Sequence, residues 1–146
     1  VPVEKTPEER RAERRQGIRD AIHGDLHILY DKFKETEYTG LINSHQDVGG
    51  VVVEAGGYPV AVRGLALANA FITYLDKEHT RSPLALAWKA LEVEYPDLHR
   101  IISEHLDGDL TDDQLGEMFH LYRETIGKRM DRGFDLIAGK LGAWKN

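Results

Sequence analysis

The chain has 146 residues, 25 acidic side chains against 19 Lys and Arg, a formal charge of -6 and no cysteine. The missing thiols exclude disulfides, thiolate nucleophiles, iron–sulfur clusters and thiolate zinc sites. The negative balance disfavours nonspecific attraction to nucleic acid or to an anionic membrane.

Hydrophobic residues at 41% and charged residues at 30% form an ordinary globular balance, which argues for one folded unit over 1–146. Its length suffices for a single core. The longest mainly apolar stretch, Leu65 to Leu75, falls well short of the about 20 residues that cross a bilayer. No membrane association is expected, and a cysteine-free chain of this kind is read as cytoplasmic.

Thr6-Pro7-Glu8-Glu9 has the form of a helix start, with a threonine cap, proline in the first turn and carboxylates at the positive end of the dipole. Ile18, Ile22, Leu26, Leu29 and Phe33 then recur at helical spacing. Residues 1–16 carry charge and almost no apolar face, so they are expected to project or fray. Thr36 to Gly49 reads as a loop.

Val51-Val52-Val53 and Val60-Ala61-Val62 flank Gly56-Gly57, a pattern that predicts an inserted β-hairpin over 50–63. A lone hairpin is marginal in water, so Val51, Val53, Tyr58, Val60 and Val62 are candidates for an interface with helices or with another chain. Leu65 to Leu75 is apolar nearly all round and predicts a central, buried helix.

Ser82-Pro83 caps a helix carrying Trp88 and Leu91, Pro96 breaks it, and Asp97 opens another that ends near Gly108. Thr111 and Gln114 have capping-box spacing. The run Leu115, Phe119, Tyr122, Ile126, Met130, Phe134, Ile137, Leu141 and Trp144 predicts one long final helix, weakened in its second half by glycines. The expected fold is mainly α, a bundle-like domain of about five helices with one β-hairpin.

Three patterns bear on chemistry. Asp20, His23, His27 and Asp31 follow one another at spacings of three and four residues, which can place imidazoles and carboxylates around one ion. Against the Ile18/Ile22/Leu29 stripe, however, both histidines point away from the core. The reading is a solvated polar face unless another segment or subunit completes a site.

Acidic-x-x-His pairs occur at Asp20/His23, Asp76/His79 and Glu117/His120, but Glu117 and His120 oppose the apolar stripe, whereas a di-iron site needs them inside the bundle. The acidic loop from Asp107 fails the EF-hand pattern, with Asp112 at its sixth position and Met118 at its twelfth.

Asn69 and Thr73 lie one turn apart on the apolar helix, where they and Tyr74 are candidates to hydrogen-bond a small ligand. No phosphate loop, nucleophile elbow or His-Glu-x-x-His is present, so no catalytic residue and no cofactor are indicated.

The leading expectation is a non-enzymatic interaction or regulatory module, self-associating or binding another protein. The alternative is a small-ligand or metal-binding protein using the His23/His27 face or the Asn69/Thr73 strip. A third reading, DNA binding through Arg10, Arg11, Arg14, Arg15 and Arg19, is opposed by the interleaved Glu8, Glu9, Glu13 and Asp20. It is opposed too by Asp112, Asp113 and Glu117 at the start of any reading helix.

Overall fold

Thr6 does open a helix. In the computed structural model, which describes residues 4–35 and 60–144, Glu9 N–H donates to Thr6 Oγ1 (3.1 Å) and Thr6 N–H to Glu9 Oε2 (3.3 Å). This closes a capping box at the head of α1, Pro7–Phe33. Residues 4–17 are all exposed, and the buried stripe begins only at Ile22, continuing through Leu26, Tyr30 and Phe33.

α2 spans Val60–Glu78, α3 Pro83–Glu94, α4 Pro96–Gly108, α5 Asp112–Phe119 and α6 Arg123–Lys140. The described residues thus form six helices and no strand. The expected β-hairpin over 50–63 is not seen. Val60, Ala61 and Val62 make the first turn of α2, while Val51, Val53 and Tyr58 lie outside the described residues, as does the loop expected from Thr36 to Gly49. β-Branched residues carry a helix penalty of only about 0.7 kcal/mol or less each, and elongation of an adjoining helix readily overrides it.

The single long final helix is corrected as well. His120 adopts the left-handed conformation (φ 57) and Leu121 N–H donates back to Gly116 O (2.9 Å), the 6→1 bond that ends a helix. A Cβ on Gly116 would sit 2.6 Å from Leu121 O, so glycine permits the chain to fold back. Tyr122, counted in the apolar stripe, is 82% exposed at this break.

The central helix is α4, not the Leu65–Leu75 stretch. On α2, Ala68, Phe71, Tyr74 and Leu75 are buried but Asn69 and Thr73 face solvent. α4 touches each of the other five helices and buries Leu98, His99, Ile101, Ile102, Ser103, Glu104 and Leu106. Its start is set by Pro96, which keeps Tyr95 out of the helical conformation (φ -140, ψ 68) between α3 and α4.

Around α4 the core divides into an aromatic half and a mainly aliphatic half. Phe33, Phe71 and Trp88 interlock at ring separations of 5.4 and 6.1 Å, and His99 lies 4.2 Å from Trp88. Ile102, Leu115, Ile126, Phe134 and Ile137 fill the side toward α5 and α6. There α6 approaches α4 closely, because a Cβ on Gly133 would lie 2.5 Å from Ile102 Cδ1.

Two predictions follow from this packing. Gly133→Ala should lower stability by up to about 2 kcal/mol, an overpacking cost of about 1–3 kcal/mol exceeding a helix-propensity gain of up to about 1 kcal/mol. Gly17→Ala, with nothing within 4 Å of its added carbon, should instead raise it by up to about 1 kcal/mol through the propensity alone. Urea melts of the two variants check both signs.

His99 is 4% exposed with no partner for Nε2, and burial pushes its pKa from 6.5 down to about 4. The folded state keeps it neutral while the unfolded chain protonates near 6.5. Its stabilising contribution is therefore whole above pH 6.5 and declines as pH falls toward 4, a loss on the order of 3 kcal/mol. His99→Phe should flatten this part of the stability profile, and parallel profiles for the two proteins would refute the assignment.

Candidate metal centre

One turn of α1 separates His23 from His27, and their rings lie 4.8 Å apart, tilted by 43°. Across from them, the last turn of α4 presents His105. Its Nε2 lies 2.9 Å from His23 Nε2, and its ring is 5.7 Å from that of His27. One nitrogen from each of the three imidazoles falls within 4.8 Å of the others. All three residues are half-buried, and Phe134 of α6 backs His23 at 5.3 Å.

The protons can be placed by elimination. His105 Nδ1 is 2.8 Å from Leu110 O, which only accepts, so Nδ1 carries the hydrogen, and a ring holding that one proton turns its Nε2 lone pair toward His23. His23 Nε2–H then donates to it. Burial, followed by the neighbouring His105 and His27, lowers the His23 pKa, while Asp20 and Asp109 act in the opposite sense.

The cluster lies in a longer polar seam between α1 and the end of α4. His27 Nε2 is 3.7 Å from Asp109 Oδ1, Tyr30 Oη donates to Asp107 Oδ1 (3.0 Å), and Lys34 Nζ donates to Asp107 O (3.0 Å). Positions 23, 27, 30 and 34 share one helix face, so a single stripe of α1 makes every contact. Lys34 also sits where a cation complements the carbonyl end of α4. Farther up α1, Arg19 forms a fork on Asp135 of α6, at 2.8 and 2.9 Å.

His23 and His105 border an open cleft of about 210 Å³ lined also by Gln16, Asp20, Asp112 and Met130. Asp20 accepts from Gln16 Nε2 (2.9 Å) and stays outside the group of three, and Asp31 is exposed. Of the four residues proposed from spacing, two therefore converge.

The expectation that His23 and His27 point to solvent is overturned. Tyr30 is buried at 2% exposure where Leu29 is only partly so, which rotates the inward face of α1 toward the histidines. His105 was missed because a histidine in a last helical turn is already explained by the helix dipole.

Elsewhere the candidates do not assemble. Asn69 and Thr73 are exposed, with Thr73 Oγ1 donating to Asn69 O (3.0 Å), and Tyr74 is buried with its hydroxyl 3.3 Å from His79 Nε2. Asp76 pairs with Lys89, and His120 is exposed in the turn after α5. In the arginine arm, Arg15 lies over the Trp144 ring (5.7 Å).

No protein-family model, curated protein or solved structure matches the chain. Among the described residues, no helix is long and apolar enough to cross a membrane.

Proposed function

We propose that this domain binds a late first-row divalent transition metal ion, with zinc as the reference case, through His23, His27 and His105. The observation that carries the reading is the convergence of three imidazole nitrogens from two helices. In a tetrahedral zinc site with Zn–N near 2.0–2.1 Å, ligand atoms stand about 3.3 Å apart. The separations here, from 2.9 Å to no more than 4.8 Å, bracket that spacing, so small ring movements suffice.

Imidazole donors select zinc, copper or nickel over calcium and magnesium, which require oxygen. The His105–Leu110 contact supports the same reading, since metal-bound histidines characteristically donate their second N–H to a carbonyl or carboxylate. Zinc would take the His105 lone pair directly and require His23 to give up its Nε2 proton or shift tautomer. The reading assigns no reaction. The leading expectation of self-association or partner binding drew in part on the hairpin, which is not seen among the described residues.

Equilibrium dialysis of untagged protein with zinc tests the proposal. The wild-type chain should bind one ion, and zinc at about 100 times Kd should stabilise the fold by about 2.7 kcal/mol. His27→Ala and His105→Ala should each weaken binding by at least about 10- to 100-fold, the range seen even for outer-sphere partners, whereas Asp31→Asn should bind as the wild type. Melts of the metal-free variants separate lost ligation from lost folding. Retention of full affinity in both histidine variants would refute the reading.

A further inference from the structure

We propose that Asp109 supplies the fourth ligand, so that the ion closes a three-histidine, one-carboxylate centre and clamps α1 to the turn between α4 and α5. This deepens the three-histidine reading and rests on it. Three imidazoles leave a tetrahedral ion one position short, and its occupant decides the character of the site. A water there makes an open centre of the catalytic kind, whereas a protein ligand makes a closed, structural one.

Asp20, Asp112 and Asp109 are three of the carboxylates around the cluster. Asp20 is held by Gln16 Nε2, and Asp112 Oδ2 is directed over α6, where it would lie 3.4 Å from a Cβ on Gly127. Asp109 Oδ1 instead stands 3.7 Å from His27 Nε2, within a few tenths of an ångström of the about 3.3 Å expected for two ligands of one zinc. Its side chain is 78% exposed and has room to rotate toward the ion.

The backbone supports the same assignment. Asp109 is the left-handed cap of α4 (φ 50, ψ 35), a conformation that Asp and Asn tolerate better than other residues with a Cβ. The next residue, Leu110, provides the carbonyl that orients His105. Two consecutive residues of one turn would then serve the ion, Asp109 by direct ligation and Leu110 by fixing the ring of a ligand. Because His23 and His27 come from α1, a bound ion would tie that helix to the turn opening α5.

Cobalt(II), used alone as a spectroscopic stand-in for zinc, separates a closed site from an open one. Wild-type protein, Asp109→Asn and Asp109→Gly are titrated with cobalt, and azide is then added to each complex. Both substitutions suit a left-handed residue, and thermal melts of the metal-free proteins verify that the fold persists.

The expected result is a cobalt spectrum that azide leaves unchanged in the wild type and alters in both variants, with affinity lowered on the order of 10- to 100-fold. Azide-induced change in the wild type equal to that in the variants, or variant affinity equal to that of the wild type, would overturn the role of Asp109 while leaving the three histidines in place. Failure of the wild type to bind cobalt at all would overturn both readings.

Discussion

The burial of α4 is the constraint on which the rest of the structure depends. A helix touched by five others has almost no face left for water, so its polar residues must be satisfied internally or carry a cost. Ser103 Oγ donates to His99 O (2.8 Å), and buried Glu104 pairs with Arg100 on the same helix (3.4 Å). His99 Nε2 has no such partner, so the same burial that fixes α4 makes the fold sensitive to acid. Both ends of α4 emerge from the core, and its last turn meets α1 there.

That emergence explains why the histidines gather where they do. α1 is fixed at Phe33 by aromatic packing and higher up by the Arg19 fork on Asp135. Between these anchors its helical register delivers His23, His27 and Tyr30 to the end of α4, and the cap residue Lys34 continues the same face. Each polar contact of the seam is modest in energy, as partly exposed hydrogen bonds and ion pairs are. Their contribution is geometric, because they hold His105 and the two α1 histidines at the spacing that the proposed ion would need, and such preorganisation would reduce the ordering cost of binding.

The sequence discloses what is local more readily than what is tertiary. The caps at Thr6, Ser82 and Thr111 and the breaks at Pro96 and Gly108 rest on contacts within a few residues, and the structure has them all. Val60 to Val62 was misread because β-branching reports a weak backbone preference that the adjoining apolar helix overrides. The stop at His120 was hidden because the apolar spacing continues through it, and the fold-back over Gly116 becomes evident only when Leu121 O is in place. At the candidate site, His23 and His27 were visible as a pair. Their direction turned on whether Leu29 or Tyr30 enters the core, and their third partner lies 78 residues beyond His27, where no local pattern links the two.

The central claim is that three imidazoles, drawn from α1 and α4, surround one ion. X-ray absorption at the zinc edge of the loaded, untagged protein tests it most directly. The account predicts a first shell of light atoms at about 2.0–2.1 Å together with the outer-shell scattering of three imidazole rings. A light-atom shell with no imidazole scattering would place the zinc on carboxylates elsewhere and contradict it.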